Sequence, residues 1–361
     1  MEDLLGRDEE TEALLRNVEE GTNSRLVAPR RYGKTSLLGR LLHDARGIGW
    51  ATVYVDFFGV LTLADIAERI ERAYASQLQG SLRAWFSGVR RRLAPTVTAG
   101  GGPVPASVGV SLDRQAEPPL LERLALPKRL HERDGRRVLV VFDEFQDVLA
   151  AQDRADAVIR SEIQHHGDAA SYVFAGSHVG MMRELFASKR RAFYGQAAPI
   201  PLPPLGSEAV AGYVARRFEA TGRDIGAALD PLLETARGHP QRTMLLAHAV
   251  WDRTAPGEAA TDETWEGARA HALAEVQDEL RAIWAGLAGG QRRALVAIAE
   301  NSRPLYAAAR IHGGSRGGAV TAALTALVDA AEVVEAPDTA TGHRLVDPLL
   351  AEWILDGRER A

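Results

Sequence analysis

The spacing of apolar and polar positions changes several times along the chain, and each change marks an element or a boundary. Residues 8–19 carry leucines and charges at helical spacing, and after the Gly21-Thr22-Asn23 turn a short apolar strand runs through a tight loop into a helix. Trp50 to Asp56 has the β-branched and aromatic density of a buried strand, and a helical pattern follows from Leu63 to about Gln79. Val138–Phe142 and Tyr172–Ala175 are continuous apolar runs of central-strand length. Strand and helix therefore alternate, which is how a parallel sheet is built. Residues 96–112 read either as two short strands around a glycine-rich turn or as a disordered loop. From Ser207 to Leu287 the pattern is wholly helical, which puts a boundary at the Pro199–Leu205 linker. Beyond it, short helices alternate with a Val333-Val334 and His343–Val346 pair suited to a hairpin. The expected division is 1–205, 206–287 and 288–361.

A length of 361 residues fits two or three domains, and the composition is that of a soluble globular protein. The formal net charge of -5 supplies no global field for nucleic acid or anionic lipid, so such contacts require a local patch. The absence of cysteine removes disulfides, thiolate metal sites and thiol nucleophiles together. The acidic Met1-Glu2-Asp3 opening and the lack of an apolar run of roughly 18 residues make the cytoplasm the expected compartment. No sustained repeat points to a solenoid.

The strand-loop-helix segment carries the most specific chemistry. The loop from Ala28 to Thr35 ends in Gly33-Lys34-Thr35, the close of a phosphate-binding pattern in which backbone N–H groups and a helix N-terminus face a polyanion. Gly33 lets the backbone approach a phosphate, Lys34 has the reach for the β- and γ-phosphates, and the Thr35 hydroxyl suits an octahedral Mg²⁺ shell. Ala28 stands where the pattern prefers its first glycine, and its methyl is tolerable only at negative φ.

Val138 to Glu144 puts two carboxylates at the end of a buried strand, where ligands bind in open parallel sheets. Asp143 is the expected Mg²⁺ partner, and Glu144 the group that orients or deprotonates the attacking water. Asp56 ends the second strand, either near the metal or as a cap for the next helix. Ser177 and His178 follow the strand ending at Ala175 and are placed to sense a γ-phosphate, although a histidine satisfied within its turn reads equally well. Arg190 and Arg191 are candidates for stabilising charge on the transferred phosphoryl group, although most arginines are solvated surface residues.

Leu4–Arg7, Ala28–Ser36, Phe142–Gln146, Ala175–Ser177 and Gly238–Pro240 occur in order, and together they resemble the archaeal-type ATPases of the AAA+/STAND group of P-loop NTPases. The resemblance covers nearly the whole chain. It implies an ATP-binding α/β P-loop domain with a parallel sheet, an all-helical lid and a C-terminal winged helix. Leu5, Gly6 and Arg7 would then lie near the adenine. Pro29, Arg30, Arg31, Tyr32, Gly33, Lys34, Thr35 and Ser36 would hold ATP or ADP with Mg²⁺. The Gly-x-Pro signature of that group falls on Gly238-His239-Pro240, at the lid, and Arg242 resembles a second sensor. Gln196 stands where an arginine is expected after Tyr194-Gly195, which points to slow turnover.

In the C-terminal module, Gly289–Ala299 and Ser315–Val328 read as helices, the second burying Leu324, Leu327 and Val328 and capped by Ser315 after a Gly313-Gly314 turn. A helix-turn-helix with a wing follows, with Trp353 in its core. Between 291 and 320 there are five arginines (292, 293, 303, 310 and 316) and one acid, Glu300. The second helix exposes mainly Gly317, Gly318, Ala319, Thr321 and Ala322, so it suits weak non-specific DNA or protein contact better than base readout. The leading expectation is an Mg²⁺-dependent ATPase working as a nucleotide-state switch. The alternative is a non-catalytic DNA- or protein-binding regulator with nucleotide as a structural ligand.

Overall fold

The computed structural model describes residues 5–78, 80–93, 109–307 and 317–357. The chain divides into two compact units, one formed by Asp8–Val27 with Lys34–Pro201 and the other by Met1–Arg7, Ala28–Gly33 and Leu202–Ala361.

The first unit is built on a five-stranded sheet of β1 (Ser24–Val27), β2 (Ala51–Asp56), β3 (Val138–Asp143), β4 (Ala170–Gly176) and β5 (Ala198–Ile200), in the order β2-β3-β4-β1-β5. Every pairing is parallel. Helix α1 (Asp8–Glu19) precedes β1, and helices α2 (Lys34–Gly47), α3 (Leu63–Gln77), α4 (Gly80–Leu93), α5 (Gly109–Leu124), α6 (Leu126–Asp134), α7 (Val148–Ala151), α8 (Ala155–Ile163) and α9 (Val179–Ala187) connect the strands. All residues of β3 and β4 are buried, the signature of strands covered on both faces. Phe57, Phe142, Phe145, Phe174, Phe186 and Phe193 fill the core beside them.

Two expectations change here. The proline-rich stretch after Gln196 is not all linker, because Ala198–Ile200 forms the edge strand β5 on β1. Three residues are too few to show alternation, and Pro199, lacking an N–H, is tolerated only at such an edge. Of residues 96–112, those up to 108 lie outside the described residues, while Gly109 onward opens α5 rather than a strand. Its packing against α3, through Leu120 and Leu124, outweighs the short Val108-Gly109-Val110 alternation.

The second unit carries α10 (Ser207–Glu219), α11 (Leu229–Ala236), α12 (Pro240–Arg253), α13 (Asp262–Glu275), α14 (Gln277–Gly286) and α15 (Gly289–Glu300). Helices Gly317–Asp329 and Pro348–Leu355 follow, with the antiparallel pair β6 (Val333–Glu335) and β7 (His343–Leu345) between them. The hairpin is thus present, and Trp353 is buried as expected. One apolar core runs from Leu205 to Ile354 through all these helices. Arg310, Gly313, Gly314, Ser315 and Arg316 lie outside the described residues. The architecture is the expected α/β one: a parallel sheet with its helices, followed by an all-helical segment and a C-terminal part whose helices flank a two-stranded hairpin.

Candidate nucleotide site

The apolar strand β1 stops at Val27 and α2 starts at Lys34, so six residues must reverse the chain. They do so with Arg31 at φ 64° and Gly33 at φ 88°, while Ala28 keeps a negative φ, the condition under which its methyl fits. Lys34 is the first residue of α2 and is 6% exposed, whereas Thr35 and Ser36 are exposed. Its ammonium charge acts on both Asp143 and Glu144.

Parallel register brings Asp56 beside Asp143 at the C-terminal edge of the sheet. Asp143 is buried, with Oδ2 accepting from the Tyr54 hydroxyl at 2.5 Å and Oδ1 from the Glu144 N–H at 2.9 Å. Burial raises its pKa, against the pull of those two donors. Asp56 does not cap the next helix, because its Oδ1 accepts from the Phe58 N–H and α3 is closed by a Thr62–Asp65 capping box.

Glu144 turns the chain in the left-handed region, at φ 47° and ψ 43°, and the following Phe145 is fully buried against Phe174 and Phe193. That anchor aims the Glu144 carboxylate at the end of β4. There its Oε2 accepts from Ser177 Oγ at 2.7 Å, from the Ser177 N–H at 3.2 Å and from Gln146 Nε2 at 2.6 Å. Burial alone would raise its pKa, but the Gln146 and Ser177 donors and the Lys34 charge outweigh it and bring the pKa below the ordinary value. Gln146 also donates to Asp147, whose other oxygen accepts from the Gly59 N–H.

His178 satisfies its own turn as the N-cap of α9, with Nδ1 accepting from the Met181 N–H. Arg190 is exposed. Arg191 donates to Glu184 and Asp153 and lies 3.8 Å from Asp156, and the Glu184 bond raises its pKa first of all. Gln196 Oε1 accepts from Arg160.

In the second unit the turn Ala28–Gly33 stands with residues 5–7 and the helices. Tyr32 packs edge-on against the His239 ring with centroids 5.2 Å apart, and Arg31 donates to Glu279. Leu5 packs on the helical core, Gly6 faces Ala209 and Leu205, and Arg7 is buried, its charge acting on Tyr32. Pro29 is buried and Arg30 exposed. Gly238 has φ 71°, and a Cβ there would meet the Leu205 carbonyl oxygen at 2.3 Å. His239 then caps α12, its Nδ1 accepting from the Arg242 N–H, with Pro240 at the first helical position. Burial pushes the His239 pKa down to about 4.

Arg242 is 1% exposed. Its Nε donates to both Asp347 oxygens at 3.0 and 3.1 Å, and its Nη2 to Asp347 and, at 3.0 Å, to Glu279. Although burial opposes its charge, these carboxylates raise its pKa.

Tyr54, Gln146, Asp147, Glu279 and Asp347 belong to these arrangements and were not singled out as site residues from sequence. Only Gln146, inside the Phe142–Gln146 motif, and Asp347, before Pro348, carried any signal. No group of three or more His, Asp or Glu side chains suited to a metal ion occurs among the described residues. Asp143 and Thr35 offer one carboxylate and one hydroxyl, a set that fits Mg²⁺ bound chiefly through phosphates and water.

No protein-family model matches the chain, and no curated protein does. Among solved structures, a Walker-type ATPase of Pyrococcus abyssi aligns with a TM-score of 0.70 at 18% identity, over 97% of this chain and 96% of that one. The ORC2 protein of Aeropyrum pernix in its ADPNP–ADP complexes aligns with a TM-score of 0.56 at 17% identity, over 98% and 95%. Its ADP form gives 0.53 at 18%, over 99% and 96%. The chain has the fold of these archaeal proteins along its whole length, as its resemblance to archaeal-type ATPases implied.

Proposed function

We propose that the protein is an Mg²⁺-dependent ATPase of slow turnover that works as a nucleotide-state switch. The observation that supports this reading best is the pair of oriented carboxylates at the sheet edge: Asp143 held by Tyr54, and Glu144 held by Ser177 and Gln146, both within the field of Lys34. A nucleotide bound merely as a structural ligand has no use for a fixed second carboxylate. Lys34 pairs with the terminal phosphates, and the turn from Pro29 to Gly33 with Ser36 cradles them. Asp143 and Thr35 hold Mg²⁺, which when bound neutralises charge on the β- and γ-phosphates. Glu144 orients the attacking water and accepts its proton, with Ser177 fixing the carboxylate.

Slow turnover is supported by three features. One Glu144 oxygen already carries three hydrogen bonds and the group is a weaker base for it. Arg191 is engaged by three carboxylates, and Gln196 stands in place of an arginine. Residues 206–287 act as the lid and 288–361 as a winged helix that contacts DNA or a protein. Leu5–Arg7 and Pro240 border the nucleotide in this reading. Arg292 donates to the Trp284 and Ala285 carbonyls, which thins the basic patch and favours weak, sequence-tolerant contact.

Isothermal calorimetry with ATP and Mg²⁺ tests the assignment. Parental protein is expected to bind and Lys34→Ala to lose binding or most of it. Unchanged affinity in that variant refutes the loop.

A further inference from the structure

Arg242 is the most deeply buried charged side chain at the nucleotide turn, and its partners come from far along the chain. An isolated buried guanidinium is strongly unfavourable, whereas one held by carboxylates stays charged and rigid. Asp347 engages its Nε and Nη2 side by side in the fork geometry that fixes the guanidinium plane, and Glu279 takes a second hydrogen bond from Nη2. Nη1 is left buried with no hydrogen-bond partner. Buried donors are nearly always satisfied, so an oriented one without an acceptor is suited to a ligand that brings one.

The surroundings indicate which ligand. Glu279 also accepts from Arg31 of the phosphate turn, and His239, which caps the helix bearing Arg242, packs on Tyr32 of the same turn. Glu332 senses Arg30, Asp347 and Glu279 together. The turn arginines and Arg242 thus share one set of carboxylates, and the acceptor that suits the remaining N–H is a nucleotide phosphate oxygen. Asp347 is also the N-cap of helix Pro348–Leu355, its Oδ1 accepting from the Leu349 N–H.

We propose that Asp347, with Glu279, is a positioning residue that fixes Arg242 so that its Nη1 meets a nucleotide phosphate, which makes nucleotide affinity depend on the seating of the C-terminal helix that Asp347 caps. This rests on the reading that the chain binds ATP. By linkage, bound nucleotide stabilises that seating in return. Whatever DNA or protein engages the C-terminal module thereby gains a route to the nucleotide.

Asp347→Asn is the discriminating variant, because asparagine caps a helix as well as aspartate does, while it removes the charge and replaces one of the two acceptor oxygens that hold Arg242 with an NH2 group. Calorimetry on the full chain should show ATP affinity falling about tenfold, within the range of ordinary coupling energies. Arg242→Met should lose at least as much, and adding Asp347→Asn to Arg242→Met should change nothing further. Thermal melts establish that each variant is folded, and Glu279→Gln, with the same expected direction, takes over if Asp347→Asn does not fold. A folded Asp347→Asn protein with parental ATP affinity overturns the proposal, as does an equal loss in the Arg242→Met background. Parental protein that binds no ATP overturns instead the nucleotide reading on which the proposal stands.

Discussion

Gly238→Ala separates packing from ligand contact at the Gly238-His239-Pro240 turn. Gly238 sits at φ 71°, and an added Cβ would lie 2.3 Å from the Leu205 carbonyl oxygen and 2.9 Å from the Leu205 nitrogen. Those atoms are backbone, and the Leu205 N–H already donates to the Gly238 carbonyl at 2.8 Å, so no rotamer change relieves the clash. Holding alanine in the left-handed region costs about 1–2 kcal/mol, and forcing atoms into a packed contact typically about 1–3 kcal/mol more. The sum, about 2–5 kcal/mol, is a large part of the 5–15 kcal/mol that holds an ordinary domain folded. It corresponds to a fall in Tm of roughly 5–15 °C for a unit of this size. Gly33→Ala is the control, since Gly33 has φ 88° but nothing within 4 Å of the added Cβ, leaving only the backbone cost. Urea unfolding of both variants without nucleotide measures the difference. A Gly238→Ala midpoint equal to that of Gly33→Ala would refute the clash and return the glycine to a role at the ligand alone.

Glu144→Gln should keep ATP binding and slow hydrolysis by about 10²–10⁴-fold; single-turnover rates equal to parental would remove Glu144 as the base. His239, packed on Tyr32, is held neutral with its pKa lowered to about 4, against 6.5 when unfolded, by burial first of all and by the Arg242 and Arg31 charges, which together outweigh the opposing pull of Asp347. The unfolded chain therefore takes up a proton below pH 6.5 that the folded one refuses until about pH 4, and stability falls as pH drops through that window. Between pH 7 and pH 5 the loss attributable to His239 is about 2 kcal/mol, and His239→Asn, which keeps the cap, should remove that slope from urea titrations at the two pH values. DNA binding by the C-terminal module should be weak, sequence-tolerant and strongly dependent on salt. Titration of a labelled random duplex at two salt concentrations checks this, and tight binding to one sequence that ignores salt would contradict it.

Local spacing alone determined the helix of residues 8–19, the buried strands around Val138 and Tyr172, and the strand-loop-helix that carries Lys34. Each is a property of neighbours within one element, where apolar period and end residues decide the backbone. The Asp143-Glu144 pair was legible for the same reason, as polar residues closing a fully apolar strand. Edge strand β5 was not, since its three residues owe their conformation to hydrogen bonds with β1. Tertiary structure alone decided the pairing of side chains. Tyr54 reaches Asp143, 89 positions away, because β2 and β3 are neighbours in register. Ser177 reaches Glu144 because β4 lies on the other side of β3. Arg242 and Asp347, 105 positions apart, meet as two helix N-termini brought together by one apolar core. Position along the chain records which groups are available, but the charge state and orientation of a buried group depend on what the folded packing places against it.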